Sequence, residues 1–241
     1  MARCRELYFY GIDNWGNGNG TVTSPSGSTY WYKDYANSDL RLIGIDTTLP
    51  WSGTLDKSDD LGQQTWLTSI LNNARTNNKA VVIAQHYPPT SKSSASTRSR
   101  INCDFCSVGR DYGERGSYNS LSMNDAYLQI VQNFIDAGGK CVCWLGGHTH
   151  TDLVLKDNAY PDQIFFIVTS LWNDLRTSDQ ARTIGTRSFI AANVIGFDTQ
   201  RKLIKISRVG ANCNFNMRPR NVLVYDYDNK RVVYQSSGMQ S

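Results

Sequence analysis

Cys141-Val142-Cys143-Trp144-Leu145 runs directly into Gly146-Gly147-His148-Thr149-His150, and this junction decides how the chain is read. Five small or apolar residues in a row suit a strand buried on both faces. Two glycines then let the backbone turn sharply, and His148 and His150 stand at i and i+2, so in extended chain both project to one side. The third histidine of the chain repeats the arrangement: Ala80-Val81-Val82-Ile83-Ala84 is a buried-looking strand, and Gln85-His86-Tyr87-Pro88-Pro89 follows it. All three imidazoles therefore emerge where strands of an α/β sheet end, which is where such folds place ligands and chemistry.

Outward from these strands the chain alternates. Tyr30-Trp31-Tyr32-Lys33-Asp34-Tyr35 and Asp39 to Asp46 predict a β-hairpin. Ser58 or Asp59 can cap a helix running to about Asn73, with Leu61, Trp66, Leu67, Ile70 and Leu71 on its apolar face. A second helix is predicted from about Ser122 to Ala137, striped by Tyr127, Leu128, Val131, Phe134 and Ile135 and stopped by Gly138-Gly139. After residue 160 the pattern changes to strands alone: Ile164 to Thr169, Ser188 to Phe197, Leu203 to Val209, Val222 to Tyr227 and Arg231 to Tyr234, an antiparallel sheet by expectation. Residues 1–29 read as an irregular Gly/Asn/Ser-rich lead-in, residues 87–120 as a long basic loop, and residues 160–241 as mostly β. The fold class is α/β (α+β), in a single domain over residues 1–241.

The 241 residues are 40% hydrophobic and 19% charged, and no stretch reaches the apolar length needed to span a bilayer. Behind Met1 there is no apolar segment of signal-peptide length. The expectation is a soluble, cytoplasmic chain without a membrane partner. Its formal net charge of +4 is scattered; it suits an anionic substrate weakly and leaves nucleic acid possible but not indicated. Six cysteines at this length, without a secretion signal, do not read as a disulfide scaffold.

Three imidazoles at two strand ends form a plausible nitrogen set for Zn, Mn, Fe or Ni. Asp13, Asp46 and Asp152 are carboxylates near the same loops, and Asp152, two residues beyond His150, could orient a ligand from behind. Lys92, Arg98, Arg100, Arg110 and Arg115 could guide a phosphate-bearing ligand towards His86, or simply solvate a loop. Cys103-Asp104-Phe105-Cys106 has zinc-knuckle spacing without two further nearby ligands, so ordinary thiols or a local disulfide compete with a metal. Cys141 and Cys143, at i and i+2 of a strand, should share one face and simply pack there. The aromatics Tyr30, Trp31, Tyr32 and Tyr35 read as cross-strand packing.

The two histidine segments resemble those of the calcineurin-like metallophosphoesterases, in which one strand ends in a single metal-binding His and a later one in Gly-His-x-His; here these are His86-Tyr87-Pro88 and Gly147-His148-Thr149-His150. The resemblance runs from about residue 30 to 234, taking in the hairpin, the helix around Gln64-Trp66-Leu67 and the strands from Phe189 to Gly210. It implies a β-sandwich flanked by helices and two divalent metals that activate water against a phosphate mono- or diester. His86 and His148 would bind one metal and His150 the other.

The family's N-terminal motifs, Asp-x-His, Gly-Asp-x-x-Asp and Gly-Asn-His, are absent from this sequence. Three neutral imidazoles cannot by themselves bridge and neutralise two divalent cations. Three readings follow: the missing ligands lie upstream or on another polypeptide, the scaffold serves as a non-catalytic structural or interaction subunit, or a mononuclear site uses His86, His148, His150 and a local Asp. Loss of the N-terminal strands would also leave a sheet edge open, predicting a partner chain or self-association that covers it.

Overall fold

A computed structural model of the chain describes residues 22–25, 28–46, 62–85, 120–146, 153–156, 159–167, 191–210 and 222–235. The strands are β1 (Val22–Thr23), β2 (Trp31–Asp34), β3 (Leu40–Gly44), β4 (Ala80–Ala84), β5 (Lys140–Gly146), β6 (Leu153–Lys156), β7 (Ile164–Ile167), β8 (Ala191–Asp198), β9 (Leu203–Gly210), β10 (Val222–Asp226) and β11 (Arg231–Gln235). The helices are α1 (Gln63–Thr76) and α2 (Ser120–Asp136). A seven-stranded mixed sheet runs β1-β2-β3-β4-β5-β7-β6, and a four-stranded antiparallel sheet runs β11-β10-β9-β8. The chain is thus mixed α/β, with two sheets and two helices among the described residues.

Alternation along the strands builds two cores. One face of the larger sheet sends Ile43, Val81, Ile83, Trp144 and Phe165 against Leu67 and Leu71 of α1 and Tyr127, Leu128, Val131 and Phe134 of α2. The opposite face sends Leu40, Ala80, Val82, Val142 and Phe166 against Ile204, Leu223 and Tyr225 of the smaller sheet. Adjacent Phe165 and Phe166 show the period: the first stacks on Trp144 with centroids 6.0 Å apart, the second meets Tyr225 edge-on at 5.6 Å. Each fully buried Leu or Phe of these layers is worth about 1.5–3 kcal/mol of transfer free energy.

Two helix-to-strand units repeat side by side. α1 ends with Asn78 at φ 54° and α2 with Gly138 at φ 86°. In both, paired backbone bonds close the terminus: Asn78 N–H to Arg75 O (3.1 Å) with Lys79 N–H to Ala74 O (2.8 Å), and Gly138 N–H to Ile135 O with Gly139 N–H to Phe134 O, each 2.8 Å. Each strand then starts at the same offset, and Ala80 pairs with Lys140 in a parallel ladder. The stop predicted at Gly138-Gly139 is therefore present. The start predicted at Ser58 or Asp59 lies outside the described residues; the residue before α1 is Gly62, at φ 86° and without a side-chain cap.

The structure corrects four expectations. Ile164–Ile167 joins the mixed sheet, parallel to β5 and antiparallel to β6, so the chain after residue 160 is not one antiparallel sheet. Strands β1 and β6 were not predicted; β1 falls in the segment read as irregular, and a two-residue strand carries too little pattern to find. The buried face of α1 includes Gln63 and Ala74, while Trp66 and Ile70 are only partly buried. Finally, Cys141 and Cys143 face opposite ways. Val81 pairs with Cys141 but Val82 pairs with Cys143, so Val142 is an extra residue in β5. This bulge carries Cys141 to the helix side and Cys143 to the sheet–sheet side.

Candidate functional site

β3, β4 and β5 are consecutive parallel strands, with Gly44 beside Ala84 and Ala84 beside Leu145. Their C-terminal ends therefore form one edge. The ladder continues one residue past the strands, where Ile45 N–H donates to Ala84 O and Gln85 N–H to Leu145 O, both at 2.9 Å. In sequence the next residues are Asp46 after Ile45, His86 after Gln85, and Gly147-His148 after Gly146. The parallel topology thus launches both histidine segments from neighbouring strands and sets a carboxylate at the end of the third. His86, His148, His150, Asp152 and Asp13 themselves lie outside the described residues, as do Cys103, Cys106 and the basic segment 87–119. Among the described residues no group of three or more His, Cys, Asp or Glu is close enough to hold a metal ion.

Asp46 is the one sequence-nominated carboxylate that the structure places. Its backbone is held at both groups by one side chain: Asp46 N–H donates to Gln63 Oε1 at 2.8 Å, and Gln63 Nε2 donates to Asp46 O at 3.0 Å. The second Nε2 proton goes to the Tyr127 hydroxyl of α2 at 2.7 Å. Gln63 is fully buried, and a buried amide is stable only when its donors and acceptor are met, as here. Thr29 Oγ1 donates to Asp46 Oδ2, fixing the carboxylate from the residue that leads into β2. One step back, Gly44 pairs with Trp31, and a Cβ at Gly44 would lie 2.4 Å from the indole. Only glycine lets the indole close over β3 beside this edge.

A second buried glutamine does for β5 what Gln63 does for β3. Trp144 Nε1 donates to Gln163 Oε1 at 2.8 Å, and Gln163 Nε2 donates to Leu128 O of α2 at 2.8 Å. Both clamps meet α2 on adjacent residues, Tyr127 and Leu128, so one helix braces two of the three strands that end at the edge. Sequence reasoning missed both glutamines. For Gln63 a signal existed: it lies on the helical face of Leu67, Leu71 and Ala74, and a polar residue in a buried stripe marks a satisfied network or a site.

Neither thiol of β5 is suited to metal or nucleophilic chemistry. Burial pushes Cys141 up to about 12, against a smaller opposing pull from Lys230, and burial raises Cys143 well above the ordinary thiol value. Both therefore stay protonated, as the sequence reading of inert packing thiols requires.

Comparison with known proteins gives limited family evidence. No known family profile matches the chain. The cyclic GMP-AMP phosphodiesterase SMPDL3A of Homo sapiens is 32% identical over 99 residues, 38% of this chain and 22% of that protein. The chain therefore spans less than a quarter of the length of the curated relative it matches. Among solved structures, GAP50, the anchor in the inner membrane complex of Plasmodium, aligns over 92% of this chain and 53% of its own, with a TM-score of 0.36 and 14% identity.

Proposed function

We propose that this chain carries the histidine-bearing part of a calcineurin-like, metal-dependent phosphoesterase that hydrolyses phosphate mono- or diesters with a metal-activated water, active only where the missing N-terminal ligands are supplied. The 32% identity over 99 residues to a phosphodiesterase is the observation that carries the reading. The order of the two histidine segments along the chain supports it, as does their departure from adjacent parallel strands. His86 and His148 would hold one divalent ion of the Mn, Fe, Zn or Ni type and His150 a second, with Asp152 behind them. Bound metal supplies a Lewis acid and a water acidic enough to ionise near neutral pH. The described residues contribute rigidity: Gln63 and Gln163 fix the β3 and β5 exits against α2, so the edge does not have to be ordered when substrate arrives.

A second reading is a structural or interaction subunit that keeps the scaffold without turnover. It is favoured by the absence of the Asp-x-His, Gly-Asp-x-x-Asp and Gly-Asn-His ligands from this sequence. Metal content, measured together with hydrolysis of p-nitrophenyl phosphate and bis(p-nitrophenyl) phosphate in added Mn, separates the two. The enzyme reading expects bound metal, and turnover where the missing N-terminal ligands are supplied, with His148→Ala lowering that turnover about 100-fold or more and releasing metal. A wild-type chain that carries no metal and stays inert with Mn removes the enzyme reading and leaves the other.

A further inference from the structure

The buried polar groups beneath the strand-end edge form one chain of contacts. From Asp46, at the β3 exit, it passes to Gln63 by bonds of 2.8 and 3.0 Å, and from Gln63 to the Tyr127 hydroxyl of α2 at 2.7 Å. The next residue of α2, Leu128, accepts from Gln163 at 2.8 Å, and Gln163 accepts from the Trp144 indole of β5 at 2.8 Å. Gln63, Leu128 and Gln163 are fully buried, with Tyr127 and Trp144 in the core beside them. β4 lies between the two ends and gives this layer only the apolar Val81 and Ile83. The polar chain therefore joins β3 to β5 through α2, with no member on β4.

Tyr127 and Leu128 are consecutive in a 17-residue helix, so neither moves without the other unless helical hydrogen bonds break. A displacement of α2 from the sheet lengthens both contacts together. They measure 2.7 and 2.8 Å, and a stretch of about 1 Å ends a hydrogen bond. Buried groups that separate in this way find no water to replace the lost partner, so the penalty falls at both ends at once. The bulge at Val142 is what creates the second contact, because it turns Trp144 to the helix side.

We propose that α2 couples the exits of β3 and β5, so that the two strand ends loosen and order as one unit. Such coupling is reciprocal: whatever tightens one exit tightens the other by the same factor. Its consequence for catalysis rests on the phosphoesterase reading, whereas the coupling itself does not. Under that reading, a ligand held at one exit leaves less to be ordered at the other, so the contacts of a phosphate ester along the edge form cooperatively.

The ladder offers a competing route, since Ile45 N–H to Ala84 O and Gln85 N–H to Leu145 O, each 2.9 Å, join the same three strands directly. Burial favours α2. Ala84, Gln85 and Leu145 are only half-buried, so water can take the place of a partner lost there. Gln63 and Gln163 lie where water cannot.

Native-state amide exchange of the full chain, with no metal or substrate added, tests the coupling apart from any activity. Asp46 N–H reports the β3 exit and Gln85 N–H the β5 exit. Gln163→Leu breaks only the β5 half of the chain, yet it should speed exchange at Asp46 about 5- to 150-fold, the usual span for coupled sites. Gln63→Leu should speed Gln85 by a comparable factor. Tyr127→Phe removes the link in the middle, so in that background Gln163→Leu should change Asp46 exchange by less than about twofold. If Gln163→Leu does not fold, Trp144→Phe, which keeps a ring in the core and removes only the indole N–H, should give the same pattern with a smaller factor. Exchange at Asp46 that neither substitution alters overturns the proposal. So does an acceleration that persists undiminished in the Tyr127→Phe background, because the ladder or global unfolding then carries it.

Discussion

Replacing Gln63 with leucine removes three hydrogen bonds at once while nearly conserving volume, and it isolates what holds the end of β3. The bonds to Asp46 N–H, Asp46 C=O and the Tyr127 hydroxyl measure 2.8, 3.0 and 2.7 Å. Each such bond is worth about 1 kcal/mol net, and a buried group that loses its partner costs about 1–3 kcal/mol. Asp46 is half-buried and can recover part of its loss from water, whereas Gln63 and Tyr127 lie in the core. The expected loss is therefore about 2–4 kcal/mol, a large share of the roughly 5–15 kcal/mol that keeps a domain folded. Urea denaturation followed by tryptophan fluorescence measures it, and amide exchange at Asp46 should accelerate in the native state. Tyr127→Phe alone should cost about 1 kcal/mol and measurably less in the Gln63→Leu background, because the bond they share is already gone. A Gln63→Leu loss below about 0.5 kcal/mol, or strict additivity of the two changes, refutes the clamp.

Gly44→Ala should destabilise by about 1–3 kcal/mol, because its Cβ would sit 2.4 Å from the Trp31 indole and overpacking of that kind displaces the ring. Calorimetry should show the midpoint falling by roughly 2–4 °C for each kcal/mol, and Trp31→Phe should recover part of the loss; an unchanged midpoint contradicts the close approach. The thiols set an alkaline limit. Cys141 is pushed from 9.0 up to about 12, and the Tyr225 hydroxyl from 10.0 up to about 12 by burial and then by Asp226. A folded value above the unfolded one favours the native state fully at low pH. Stability should therefore be constant up to about pH 9 and fall from there towards 12, measured as unfolding free energy at stepped pH. Alkylation at pH 8.5 with peptide mapping should leave Cys143 unmodified until denaturant is added; labelling of the native chain would show that its protonation is not enforced by burial.

The parts of this fold that the sequence revealed are those written in periodicity. The hairpin, both helices, the buried strands before each histidine segment and the Gly138-Gly139 stop follow from spacing and turn chemistry, which act over a few residues. The helix-to-strand unit from Thr76 to Ala80, closed by a left-handed Asn78, was hidden only because asparagine marks such a stop less clearly than glycine. What stayed illegible depends on residues far apart in the chain. Nothing local says that Ile164–Ile167 will lie beside β5 and not in the later antiparallel sheet; both environments want the same four apolar residues. Gln63 and Gln163 look like ordinary polar positions until Tyr127, Trp144 and Leu128 are placed around them. The histidines were legible as a pair of strand-end segments, and the structure adds that their strands are neighbours and parallel, with Asp46 on the third.

The bulge at Val142 shows how one residue reorganises that edge. With an unbroken ladder Trp144 would stand beside Ala84, on the side facing the smaller sheet, where Val82 and Ala80 already fill the layer. The extra residue moves Trp144 beside Ile83 and onto the helix side, where its indole reaches Gln163 and its ring stacks on Phe165. Every described position after Val142 in β5 changes face with it, up to Gly146, the last before Gly147-His148. Strict alternation counted from Cys141 therefore assigns the wrong face to the end of this strand, and would have assigned Trp144 to the wrong core. A bulge leaves no mark in a run of small and apolar residues, because Cys141, Val142 and Cys143 are acceptable on either side of a fully covered sheet. That tolerance is what lets the strand shift its register close to a candidate site without disturbing the packing on either face.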